Sequence, residues 1–114
     1  MFSVDTIQQS ALKEAVSNSL DFIKAEHPSS LRRVILFGSC ARGEETENSD
    51  IDLCLVFDDA AEITSRQMRL YKGYLRCVDE HKRDIVFCNQ KHLLNPDQLI
   101  YRLINRDGKT LLEF

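Results

Sequence analysis

The chain has 114 residues, 43% of them hydrophobic and 29% charged, and a formal net charge of −3; that suits one folded domain, residues 1–114, large enough to bury a core. No apolar run is long enough to span a bilayer, and Met1-Phe2-Ser3-Val4-Asp5 lacks the basic flank and apolar centre of a secretory leader, so a cytoplasmic protein is expected. The acidic balance argues against a protein that coats DNA or RNA, and the four cysteines show no CxxC and no histidine at ligand spacing.

Residues 4–24 repeat apolar side chains at helical spacing (Val4, Ile7, Ala11, Ala15, Val16, Leu20, Ile23), which predicts a helix with Ser3 or Asp5 as cap and His27-Pro28 as its stop. His27 reads as a solvated residue at the helix end. Leu31 to Phe37 is apolar and β-branched and reads as a strand entering the core. It ends abruptly at Gly38-Ser39. Glycine after a strand lets the backbone approach a ligand closely, and Ser39 is expected to cap a short helical turn Cys40-Ala41-Arg42 that Gly43 stops. The free N–H groups of such a turn suit an anion, with Arg42 as a second positive contact.

Glu44, Glu45, Glu47 and Asn48 form an acidic loop for which plain exposure is the favoured reading. Ten residues separate Ser39 from Asp50-Ile51-Asp52, which opens a second apolar run to Phe57. Side chains alternate across a strand, so Asp50 and Asp52 share a face with Cα atoms roughly 7 Å apart. Two hard oxygen ligands so close favour Mg²⁺ between them. A phosphate cradle beside a divalent-cation site is what phosphoryl or nucleotidyl transfer requires.

Asp58-Asp59 reads as a turn and helix cap, because adjacent residues point to opposite sides. A second long helix is predicted over 60–82, with Ile63, Gln67, Leu70, Tyr71, Tyr74, Leu75 and Val78 on one broad face and Gly73 as a weak point. Arg66, Arg69, Lys72 and Arg76 line another face, a stripe that reads first as a solvated surface and second as a site for an acidic partner. A third strand follows over 82–88, opened by Asp84. Asn95-Pro96-Asp97 is expected to start another helix that Asp107-Gly108 ends, and Lys109 to Phe114 is an edge strand or tail. His81 and His92 read as surface residues. Cys54 and Cys88 suit buried thiols, and Cys40, although a helix start could lower its pKa, reads as a tolerated small residue.

The order of elements gives an α/β fold, a small mixed sheet of three or four strands flanked by helices. The string Gly38-Ser39, ten residues, Asp50-x-Asp52 resembles the signature of the nucleotidyltransferase superfamily that includes DNA polymerase beta. With Ala41-Arg42-Gly43 and Ser49-Asp50-Ile51-Asp52-Leu53 it is similar to the minimal nucleotidyltransferase (MNT) branch. The resemblance covers residues 30–90 with named motifs. It implies a nucleotidyltransferase core with ATP as donor, held by Gly38, Ser39, Arg42 and Ser49. It also implies a third acidic residue on the strand after the helix, a place occupied by Asp84, which would join Asp50 and Asp52 around Mg²⁺ and accept the proton of the attacking hydroxyl.

MNT proteins of this size stand beside HEPN partners, helical ribonuclease toxins that they inactivate by adenylating a tyrosine; by resemblance that is the leading function. No membrane or nucleic-acid partner is implied, and an oligomer with the HEPN partner is compatible with so small a core. Two further readings are transfer to a small molecule such as an antibiotic, and a non-catalytic module that neutralises its partner by contact.

Overall fold

The computed structural model describes residues 2–46, 48–95 and 97–114. A 3₁₀ turn at Val4–Thr6 precedes helix α1 (Ser10–Glu26), strand β1 (Leu31–Phe37), a short helix α2 (Gly38–Arg42) and β2 (Ile51–Phe57). Helix α3 (Ser65–Val78), β3 (Arg83–Asn89), the short α4 (Gln90–Leu93), α5 (Leu99–Asp107) and β4 (Lys109–Glu113) follow. The strands form one mixed sheet in the order β3-β2-β1-β4. β1 pairs antiparallel with β2 and with β4, whereas β2 and β3, joined through α3, run parallel. This is the expected α/β class with four strands.

Both faces of the sheet are covered, which is why β1 and β2 are almost continuously apolar rather than alternating. One face carries Val34, Leu36, Leu53 and Leu55 against Leu12, Val16 and Ile23 of α1 and Leu75 of α3. The other carries Ile35, Phe37, Cys54, Val56 and Cys88 beneath Leu93 of α4 and Ile104 of α5. Each such fully buried aliphatic side chain stabilises the fold by about 2 kcal/mol. Among the described residues no helix is long and apolar enough to cross a membrane.

Several boundaries differ from the sequence reading, each for a local reason. The predicted helix over 4–24 is interrupted: Ser3 caps the 3₁₀ turn, accepting from the Asp5 N–H, and the chain is extended at Ile7, which is buried. Helix α1 then begins only at Ser10. The helix expected over 60–82 is shorter, because Thr64 and Gln67 form a capping box that starts α3 at Ser65. Asp58 and Asp59 do turn the chain. Asp58 accepts from the Ala60 N–H and pairs with Arg32, and Asp59 accepts from the Lys91 N–H.

Asn95 does not cap α5; its side chain accepts from the Asp97 N–H, and the helix opens at Leu99 behind Gln98. Pro96, like Glu47 of the acidic loop, lies outside the described residues. The turn α4 was not foreseen. There Asn89 and His92 form a reciprocal cap, His92 Nδ1 accepting from the Asn89 N–H, so His92 is a structural residue rather than a plain surface one. His27 ends α1 with its ring stacked on Phe114, 4.0 Å between centroids. Gly108 closes α5 where a Cβ would overlap the Ile104 carbonyl, and β4 then returns along β1 as an edge strand.

Candidate active site

Three adjacent strand ends meet at one corner of the sheet. Phe37, the last residue of β1, is paired with Asp52 of β2, and Asp52 is paired in turn with Asp84 of β3. Neighbouring strands lie about 4.8 Å apart, so the two aspartates stand side by side on the face covered by α5. Gly38 follows at φ +73, and a Cβ there would overlap the Asp52 carboxylate. The glycine is therefore required twice, by its left-handed backbone and by the close approach.

The crowding shows in the acid chemistry. Burial first, then the charges of Asp84 and Asp50, push the Asp52 carboxyl up to about 6, against a weak opposing pull from Arg42. Asp50 sits just before β2 and faces Lys82, its Oδ2 3.6 Å from the Lys82 Nζ. Asp84 is exposed. The three carboxylates share a corner without closing on one point: among the described residues no three Asp, Glu, His or Cys side chains are gathered closely enough to enclose an ion.

Helix α2 differs from the expected turn in its start. It begins at Gly38 with Phe37 as N-cap and no side-chain cap bond, so Ser39 is the second helical residue and not the cap. The first N–H groups of the turn are thereby left without a capping side chain, and Gly43, left-handed at φ 74, ends it as expected. Arg42 is exposed, with its guanidinium donating to Glu44 at 3.0 Å and Asp107 at 3.2 Å. Ser49 accepts from the Thr46 N–H through its hydroxyl at 2.9 Å. Cys40 is buried rather than activated. Desolvation, with Glu45 and Asp52 nearby, pushes its thiol up to about 11, the reverse of what a helix start alone suggests.

Two residues that the sequence reading passed over hold this corner together. His81, read as a surface residue, donates from Nε2 to the Ser49 carbonyl at 2.8 Å and so ties the loop before Asp50 to the segment before β3. Arg83, next to Asp84, is buried and forked onto Asp79, both oxygens at 2.7 Å, with further bonds to Ser19 Oγ and the Ala15 carbonyl. It anchors the start of β3 to α1. Neither had a local signal, since their partners are distant in sequence or outside any periodic pattern.

The family model of the nucleotidyltransferase domain matches residues 16–106, a span that contains every element of this corner. The chain belongs to the nucleotidyltransferase domain family. It is thus a nucleotidyltransferase, and its relatives agree. A Methanocaldococcus jannaschii protein provisionally named a protein adenylyltransferase is 25% identical over 97 residues, spanning 78% of this chain and 97% of that protein. A solved structure provisionally named a minimal nucleotidyltransferase is 26% identical, covers 91% of this chain and 96% of its own, and superposes with a TM-score of 0.61. The same fold occurs in a complex of a tri-AMPylated Shewanella oneidensis HEPN toxin with an MNT antitoxin, at 19% identity, coverage of 88% of this chain and 73% of the other, and a TM-score of 0.60.

The side chains at this corner offer carboxylate oxygens alone, a donor chemistry that suits a hard divalent cation, although as placed they do not enclose one. Burial and then the charges of Asp84 and Asp50 raise the Asp52 carboxyl, and a cation would relieve the second of these.

Proposed function

We propose that this nucleotidyltransferase moves AMP from ATP to a protein hydroxyl, a tyrosine of a HEPN-type helical toxin, and acts as that toxin's antitoxin in the cytoplasm. The observation that carries the reading is the row Gly38, Asp52, Asp84 across three paired strand ends. The names of the adenylyltransferase relative and of the AMPylated HEPN complex support the acceptor class. Residues 1–114 act as one catalytic domain in this reading.

The triphosphate lies on the open backbone of Gly38 and Ser39 at the start of α2, where N–H groups meet phosphate oxygens. Arg42, which now pairs with Glu44 and Asp107, is available as a further phosphate contact, and Ser49 holds the loop that presents Asp50. Asp50, Asp52 and Asp84 are the residues that would hold Mg²⁺. Bound there, the ion supplies charge neutralisation at the α-phosphate and the departing pyrophosphate.

Asp84, the exposed member of the row, takes the proton from the acceptor hydroxyl as its oxygen bonds to the α-phosphorus. The bond from that phosphorus to the bridging oxygen breaks, and pyrophosphate leaves with the electron pair. Purified protein incubated with ATP, Mg²⁺ and a co-purified or neighbouring HEPN protein tests this by intact mass. A gain of one or more AMP units, lost in Asp50→Asn and in Asp84→Asn, is expected. Full neutralisation of the toxin at unchanged mass refutes transfer in favour of contact alone.

A further inference from the structure

β3 is the outer strand of the sheet, and a trough of about 560 Å³ runs along it beneath the C-terminal half of α3. Ile85 of the strand and Lys72 and Arg76 of the helix line it, and Asp84 borders it at the strand edge, its side chain alternating with Ile85 and so set on the opposite, α5 face. Helix α3 carries four cations, Arg66, Arg69, Lys72 and Arg76, and no acid in 14 residues, within a chain whose net charge is −3. Among the described residues none of the four takes part in an ion pair, although the Lys72 ammonium lies over the Phe87 ring, 5.8 Å from its centroid. The other cations in the lining are engaged: Arg83 with Asp79, and Lys82 with Asp50. Glu80 and Asp84 are the remaining acids in it.

The direction of the trough matters, and here the inference rests on the transfer reading above. Attacking and leaving oxygens stand roughly in line across the α-phosphorus. With the triphosphate over Gly38 at the end of β1, the strand order β1, β2, β3 places the acceptor on the far side, over Asp84. A segment that leaves the trough and crosses the exposed edge of β3 to reach Asp84 passes Lys72 and Arg76.

We propose that this trough is the acceptor channel, and that Lys72 and Arg76 select a protein segment bearing carboxylates within a few residues of the hydroxyl that receives AMP. A continuous phosphate chain fits poorly, because Glu80 and Asp84, which no cation in the lining pairs with among the described residues, would repel it along the same path. An acidic peptide places charge only where the helix offers cations. In the transfer step the segment's hydroxyl oxygen bonds to the α-phosphorus, pyrophosphate departs with the bridging oxygen and its electron pair, and the proton passes to Asp84.

The test titrates the full chain with a random glutamate–tyrosine copolymer, in parallel with a lysine–tyrosine copolymer and polyuridylate, and measures ATP affinity with Mg²⁺ separately. The glutamate–tyrosine copolymer binds best, and in Lys72→Glu/Arg76→Glu its affinity falls at least about tenfold while ATP affinity is kept. Lys72→Gln/Arg76→Gln, which keeps the helix uncharged at these positions, gives a smaller loss in the same direction and covers a failure of the first variant to fold. Equal binding by wild type and variants, no binding of the acidic copolymer, or tighter binding of polyuridylate or of the lysine copolymer overturns the proposal. Failure of the wild type to bind ATP strikes instead at the nucleotidyl-transfer reading, so the two are separable.

Discussion

Replacing Asp52 by Asn removes a charge that the fold holds at the expense of stability. The rise of this carboxyl from its ordinary 3.8 to about 6 corresponds to about 3 kcal/mol at roughly 1.4 kcal/mol per pKa unit. Water reaches part of the carboxylate, which screens the effect to about 1.5 kcal/mol. The sign follows from proton linkage. Between about pH 4 and 6 the folded protein binds a proton at Asp52 that the unfolded chain has released, so this group's contribution becomes unfavourable as pH rises through that window. Asp52→Asn is accordingly more stable than wild type by about 1.5 kcal/mol at pH 7, or about 5 °C in Tm for a domain of this size.

The advantage should shrink to a small remainder by about pH 4 and disappear below about pH 3, where wild-type Asp52 is protonated in both states. Urea denaturation of both proteins at several pH values measures it, and taking the difference between proteins cancels the titration of every other group. Mg²⁺ should raise the midpoint of the wild type at pH 7 much more than that of the variant, because only the wild type has the full set of carboxylates to neutralise. A stability gap of the same size at pH 4 and pH 7 would refute the view that ionising a buried carboxylate among like charges, rather than shape, sets the energetics of this corner. The variant is also expected to lose AMP transfer, so its gain in stability and loss of activity share one cause.

Gly38→Ala combines a left-handed backbone with overlap of the Asp52 carboxylate, and should lower stability by about 1–3 kcal/mol and abolish transfer; urea midpoints and acceptor mass check both. Asp79→Ala leaves the guanidinium of Arg83, with only 3% of its side chain exposed, without its counter-charge and should cost about 3 kcal/mol at neutral pH. The forked bonds from Arg83 hold the Asp79 carboxyl well below the usual carboxylate range. Its contribution is therefore complete above the ordinary carboxylate pKa and is lost as pH falls toward the folded value, so wild type and variant should converge in acid-titrated thermal melts. Gly73→Ala, in mid-helix with open space around the position, should stabilise by about 0.5–1 kcal/mol, a gain visible in the same denaturation assay.

Much of the candidate corner was readable in advance because it is local. Gly38, Asp50 and Asp52 lie within one strand–turn–strand stretch, where the alternation of side chains and the need for a left-handed glycine are properties of a few consecutive residues. The strands themselves were legible from runs such as Leu31 to Phe37, since a strand buried on both faces has little choice but to be apolar throughout. Helix starts were less so. Ser39 looked like a cap and Asn95 looked like another, but a side chain that can cap can also bond elsewhere. Which bond forms depends on where the neighbouring strand delivers the backbone.

What the chain determined by itself, then, was the class of fold, the order of its elements, and the pairing of a glycine bend with two carboxylates, all through short-range periodicity and backbone chemistry. The family resemblance had offered Asp84 as the partner of Asp52, but no pattern within the chain places it there, 32 positions away, because the register of a parallel pair is set by how the crossover helix packs and not by any repeat in the strands. The same holds for the buried Arg83–Asp79 fork, for the His81 tie to Ser49, and for a Cys40 thiol pushed up to about 11 rather than lowered. Each depends on burial and on neighbours from other elements, and desolvation is a property of the packed interior that no stretch of sequence possesses alone.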